Sequence, residues 1–168
     1  MSAAVPPALA ALPTRLREML RVSHQARPED LSAAEAIYRK NRIQAELQSF
    51  FTDVPERLAR AHLAICRAGA STVAELTVLG RPSILVPLPG SIDADQKNNA
   101  LVIANAGAGW IMEQATLSPI SLATRLSGLF DHPTALTGAA SAAKSLGKPD
   151  AVERLADLAE GLAGGKTK

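Results

Sequence analysis

The run Cys66-Arg-Ala-Gly-Ala-Ser-Thr-Val-Ala-Glu75 carries the residue types and spacing with the clearest chemical use in this chain. Residues 63–66 are apolar and read as a buried strand, Gly69 as a tight turn, and Ser71 and Thr72 as the opening of a helix that continues to Leu79 and stops at Gly80. Residues 81–87, Arg-Pro-Ser-Ile-Leu-Val-Pro, supply a second short strand that ends in proline. A strand–glycine–helix–strand unit aims unpaired backbone N–H groups and the positive end of a helix dipole at one point, where an anion such as a phosphate is held. Glu75 stands about one helical turn beyond that opening, placed to accept hydrogen bonds from sugar hydroxyls of the same ligand. The pattern points to a nucleotide or a nucleotide sugar. The same residues also have a ligand-free use: Thr72-x-x-Glu75 spells a capping box, which would close the helix start with its own side chains.

Bulk properties remove other classes. The 168 residues amount to one domain with a sizeable core. Apolar residues make up 47% of the chain but aromatics only 3%, so Ala, Leu, Val and Ile must fill the interior. Basic and acidic residues number 18 and 16, a net charge of +2 without any Lys/Arg run, which does not suit a nucleic-acid partner. A single cysteine, Cys66, excludes an internal disulfide and a cysteine zinc cluster and fits a reducing compartment. At the end of an apolar strand it reads as a small buried residue rather than a nucleophile. The N-terminus lacks a basic start and is broken by Pro6 and Pro7, so it does not read as a signal peptide. The longest apolar stretch, residues 100–112, is too short to cross a bilayer. The expectation is a cytoplasmic protein, at most peripheral at the cytoplasmic face of the inner membrane.

The elements that must position the motif alternate along the chain. A helix over residues 4–19, turned at Pro13, leads to a strand over 20–25. A helix over Pro28–Lys40 carries acidic residues at its head and basic ones at its tail. An edge-side strand over 43–50 and a short helix over 55–61, capped by Asp53, precede the strand 63–66. After the strand 83–87 come a helix over 96–106 that ends at Gly107, a strand over 109–113, and helices near 118–130, 133–146 and 150–163. This alternation predicts an α/β domain over 1–163 with a doubly wound, mostly parallel sheet, and a disordered tail over 164–168. Ligands in such sheets sit at the carboxyl ends of the strands, which directs attention to loops 24–27, 50–53, 67–71 and 88–96. His24 reads as structural, although it and Gln25 follow a strand toward the cleft; His62 and His132 read as surface or helix-end residues. Asp93-x-Asp95 has the spacing of a metal motif but reads as a loop and helix-cap element, and no metal or cofactor is expected.

Four ordered motifs make the chain specific. Gly69-Ala-Ser-Thr-Val-Ala-Glu75, Gly80-Arg-Pro-Ser-Ile-Leu-Val-Pro87, Asp93-x-Asp-Gln-x-x-Asn-Ala100 and Ala106-Gly-Ala108 closely resemble the C-terminal half of the MurG family, and the resemblance runs through essentially the whole chain. That family comprises the N-acetylglucosaminyltransferases that convert lipid-linked muramyl-pentapeptide into lipid-linked disaccharide in peptidoglycan synthesis. Its GT-B architecture pairs an acceptor domain with a Rossmann-like C-terminal domain for UDP-N-acetylglucosamine. The resemblance implies that Ala70, Ser71, Thr72, Val73, Ala74 and Glu75 form the donor-binding helix start, with Glu75 on the ribose hydroxyls. It implies that Gln96 reads the N-acetylglucosamine hydroxyls and that Phe51 offers a backbone contact to the uracil ring. Arg67, Gly69 and Asn99 are secondary candidates; Asn99, three residues after Gln96, shares its helix face and supports the loop.

The resemblance also has a gap. The family opens this half with a strand and a glycine-rich turn, Gly-Gly-Ser-Gln-Gly-Ala, that cradles the donor diphosphate, whereas Met1-Ser2 match a point already inside the next helix. The acceptor domain and a general base have no counterpart either. The expected function is therefore the UDP-N-acetylglucosamine-binding half of the transferase, not active alone, with a missing N-terminal half or separate acceptor-binding subunit as partner. The alternatives are the donor subunit of a split glycosyltransferase and a non-catalytic truncated remnant. A sheet without its central first strand has an opening of roughly 9–10 Å. The chain is thus expected either to be unstable or to close the opening by pairing strand 20–25 directly with strand 63–66.

Overall fold

The computed structural model describes residues 1–91 and 94–164. Asp93 and residues 165–168 lie outside that description, as do the loop reading of Asp93 and nearly all of the expected tail; Gly164 is the last residue of a helix.

The order is α1 (Val5–Ala10), α2 (Thr14–Arg17), β1 (Arg21–Gln25), α3 (Pro28–Lys40), β2 (Gln44–Gln48), α4 (Val54–Arg60), β3 (Ala64–Cys66), α5 (Ala70–Val78), β4 (Ser83–Leu85), α6 (Asp95–Asn105), β5 (Gly109–Ile111), α7 (Pro119–Asp131), α8 (Pro133–Leu146) and α9 (Ala151–Gly164). Local chemistry accounts for most of these boundaries. Proline in the first turn of α1, α3, α4, α7 and α8 presets the helical φ where its missing N–H costs nothing. Helices α5 and α6 end in the same device. Gly80 at φ +63° and Gly107 at φ +72° turn the chain into the left-handed region, and the following N–H groups of Arg81 and Ala108 donate back to Leu76 O (2.7 Å) and Ile103 O (2.9 Å). Asp53 occupies the cap position of α4 but makes no capping bond; its carboxylate instead accepts from Arg57 Nε at 2.7 Å.

The strands are parallel, as the alternation predicts, but they form two sheets: β1–β2, with Arg21 opposite Gln44, and β3–β4–β5, with Ile65 opposite Ile84 and Ile84 opposite Trp110. One core joins both. Ile65, Ile84 and Trp110 of the larger sheet and Val22, Ala45 and Leu47 of the smaller pack with Leu9, Leu12, Tyr38, Leu122 and Leu126 from α1, its following turn, α3 and α7. The opposite face of the larger sheet (Ala64, Cys66, Leu85, Ile111) packs on Leu76 of α5, Ile103 of α6 and Ala143 of α8. Alternate strand residues thus feed two helical layers, the doubly wound arrangement. The expected pairing of β1 with β3 does not form, and each keeps one edge without a strand partner among the described residues. Both strands are anchored by side chains in the shared core instead. No helix among the described residues is long and apolar enough to cross a membrane.

Candidate functional site

The sequence places the opening of α5 at Ser71 and Thr72; the helix starts one residue earlier. Gly69 is the cap residue at φ −64°, ψ 150°, without a side-chain capping bond, and Ala70 is the first helical residue. Thr72 is therefore the third helical residue rather than the cap, so the Thr72–Glu75 capping box cannot close. The first backbone bond of the helix runs from Val73 N–H to Gly69 O at 3.0 Å. The N–H groups of Ala70, Ser71 and Thr72 have no acceptor among the described residues, the condition in which a helix start holds an anion.

Helix α6 faces this start. Asn99 Nδ2 donates to Ala68 O at 3.0 Å, fastening α6 to the turn that precedes α5. Gln96 Oε1 accepts from Leu88 N–H at 3.0 Å, which orients its amide and leaves the two Nε2 protons for another acceptor. Between the two helices lies a cavity of about 410 Å³ lined by Gly69, Ala70, Ser91, Asp95, Gln96, Asn98 and Asn99. Ser91 and Asn98 were not candidates in the sequence, although the wholly polar head of α6, Asp95-Gln-Lys-Asn-Asn99, before an apolar Ala100-Leu-Val-Ile103 was a visible signal.

The cavity brings together Gly69, Ala70, Gln96 and Asn99 but not every candidate. Ser71, Ala74 and Glu75 are exposed on α5 beyond its lining. Val73 turns inward and packs against the core beneath α5. The Glu75 carboxylate has no hydrogen-bond partner among the described residues, so nothing in the fold claims it. Arg67 spans the carboxyl ends of the larger sheet: its guanidinium donates to Val86 O (3.1 Å), Pro87 O (3.2 Å) and Gln114 Oε1 (2.7 Å), strapping the loops after β4 and β5. Phe51 follows β2 and is not among the residues lining this cavity; its ring is buried and its N–H is donated to Gln25 Oε1 at 3.3 Å. Its carbonyl makes no bond among the described residues.

Burial pushes the Cys66 thiol up to about 12, so the thiolate needed for nucleophilic attack is absent at neutral pH. No group of three or more His, Cys, Asp or Glu able to hold a metal is found among the described residues. His24 Nδ1 lies 2.9 Å from the hydroxyl of Tyr38, which is fully buried and kept protonated by that burial. The His24 pKa is lowered, first by burial and then by the amino group of Met1, against an opposing pull from Asp30. The unfolded chain therefore takes up this proton more readily than the folded one. Stability is expected to fall as pH drops below about 6.5, and to level off once the folded imidazole titrates. Urea midpoints from pH 7.5 to 5 should show that decline, and His24→Asn should flatten it.

A family model described as the glycosyltransferase family 28 C-terminal domain matches residues 1–155. The UDP-N-acetylglucosamine–N-acetylmuramyl-(pentapeptide) pyrophosphoryl-undecaprenol N-acetylglucosamine transferase of Paramagnetospirillum magneticum is 54% identical over 162 residues, 96% of this chain and 44% of that protein. The enzyme of the same name from Rhodospirillum rubrum is 53% identical over 159 residues, 95% of this chain and 41% of its own length. The crystal structure of Acinetobacter baumannii MurG superposes with a TM-score of 0.83 at 30% identity, covering 94% of this chain and 46% of that one. The glycosyltransferase VinC, solved in complex with dTDP, shares the fold at a TM-score of 0.65 and 19% identity, over 91% of this chain and 36% of its own. The chain spans less than half the length of the curated relatives it matches. These matches agree with the motif resemblance, and the chain belongs to the glycosyltransferase family 28 C-terminal domain family.

Proposed function

We propose that this chain is the donor-binding half of a peptidoglycan N-acetylglucosaminyltransferase and that its ligand is UDP-N-acetylglucosamine. The observation that carries this reading is the uncapped start of α5 beside the cavity that Gln96 and Asn99 line. The diphosphate rests on the N–H groups of Ala70, Ser71 and Thr72, Glu75 accepts from the ribose hydroxyls, and Gln96 Nε2 donates to a sugar hydroxyl. The Phe51 carbonyl accepts from the base. As the glycosidic bond to the diphosphate breaks, negative charge grows on the departing UDP. Fixed N–H dipoles and the helix dipole stabilise that charge more than the ground state, which is how this half contributes to rate. The acceptor hydroxyl and the group that deprotonates it come from outside the cavity, from the remainder of a longer polypeptide or from a second subunit at the cytoplasmic membrane face.

Calorimetric titration with UDP-N-acetylglucosamine tests this. Low-micromolar binding that UDP competes for, and that free N-acetylglucosamine does not, is the expected result. Absent or millimolar binding would favour a chain that no longer handles a sugar nucleotide.

A further inference from the structure

Beside the loop that carries Phe51 stands a residue that the donor reading does not use. Arg57, on α4, joins four segments. Its Nη1 and Nη2 donate to Glu46 Oε2 (2.7 Å) and Oε1 (2.8 Å) as a paired fork, Nη1 also reaches Ser23 Oγ at 3.1 Å, and Nε donates to Asp53 Oδ1 at 2.7 Å. The guanidinium plane covers the Phe51 ring, with Cζ 3.9 Å from its centroid. Ser23 lies on β1, Glu46 on β2, and Phe51 and Asp53 in the loop between β2 and α4. The Arg57 side chain as a whole is 23% exposed. The bonds hold both carboxylates below their usual titration range.

A planar fork satisfied by two carboxylates and a hydroxyl, with an aromatic ring against its face, fixes geometry rather than merely charge. Fixing Phe51 from the side-chain side, while Gln25 Oε1 holds its N–H, leaves the carbonyl of Phe51 as a free acceptor in a braced loop. We infer that Arg57 is a positioning residue for base recognition: it holds the loop so that the Phe51 carbonyl stands where it discriminates among nucleobases. This rests on the donor reading and deepens it, because Arg57 itself touches no ligand. Lysine cannot replace it, since an ammonium supplies neither the fork nor the flat face.

The test compares UDP, ADP and inorganic pyrophosphate as ligands of the whole chain, by calorimetry. In Arg57→Ala the preference for UDP over ADP is expected to fall about tenfold, as for a recognition group displaced by a fraction of an ångström. Pyrophosphate affinity should stay within about twofold, because the helix start is untouched. Glu46→Gln, which keeps size but weakens the fork, should lower the preference in the same direction, and Arg57→Lys should fail to restore it. A loss of UDP, ADP and pyrophosphate binding in equal proportion would mark Arg57 as a general stabiliser and overturn the inference. So would an unchanged UDP/ADP ratio in both Arg57→Ala and Glu46→Gln. A wild-type chain that binds UDP no better than ADP would instead overturn the base contact at Phe51, and the role of Arg57 with it.

Discussion

Glu75→Ala is expected to weaken UDP binding by one to two orders of magnitude without lowering thermal stability. Glu75 lies exposed on α5 and has no hydrogen-bond partner among the described residues, so its removal leaves no orphaned group in the fold. On the proposed donor reading, its carboxylate would accept from two adjacent ribose hydroxyls. Hydrogen bonds to a charged group contribute roughly 1.5–3 kcal/mol each. Solvent reaching α5 keeps the pair below the full sum of two such bonds, at about 1.4–2.8 kcal/mol together, or about 10- to 100-fold in affinity. A double-mutant cycle isolates the contact: dideoxy-UDP should bind the wild-type chain as weakly as UDP binds Glu75→Ala, and the two losses should not add. Additive losses would separate Glu75 from the ribose.

The second large effect is on stability. Gly109 in β5 pairs with Ser83 in β4, and a Cβ on Gly109 would lie 2.4 Å from Ser83 O, 2.9 Å from Ser83 Oγ and 3.0 Å from Ile103 Cγ2. Ser83 is fully buried in the middle strand of its sheet and cannot retreat, while Ile103 belongs to the helix that carries Gln96 and Asn99. Overpacking of this kind costs about 1–3 kcal/mol. At about 2–4 °C per kcal/mol for a chain of this size, Gly109→Ala should lower Tm by roughly 2–12 °C. Gly109→Val should lower it further. Because the sheet pushes α6 outward, donor affinity should fall too, although no ligand contact is altered. Ser83→Ala serves as the control: the Ser83 hydroxyl has no partner among the described residues, so its removal should leave Tm unchanged or slightly raised. An unaffected Tm in Gly109→Ala would contradict the strand packing described here.

Where the sequence was informative, the information was local. Helix α3 spans the expected Pro28–Lys40 because proline, acidic and basic residues mark its two ends, and α5 and α6 stop at the glycines that can take a positive φ. The Thr72-x-x-Glu75 motif misled in its ligand-free sense, since a capping box depends on which residue is the cap. An extended Gly69 shifted that register by one. Asp53 misled in the same way: it sits in the cap position, but Arg57 competes successfully for its carboxylate. The brace at Arg57 was invisible because Ser23, Glu46 and Arg57 meet only after β1 and β2 lie side by side. The division into two sheets was equally hidden. Strand pairing depends on long-range geometry, and periodicity reports only which face of each strand is apolar. The cavity residues Ser91 and Asn98 needed the fold to bring α6 against the start of α5.

The proposed function depends on a diphosphate seated on the uncapped start of α5. Amide NMR of the chain titrated with UDP tests it most directly. The N–H resonances of Ala70, Ser71 and Thr72 should move most and in step, shifted downfield as they gain a charged acceptor. If those three stay still at saturation while other amides move, the diphosphate lies elsewhere and the account fails.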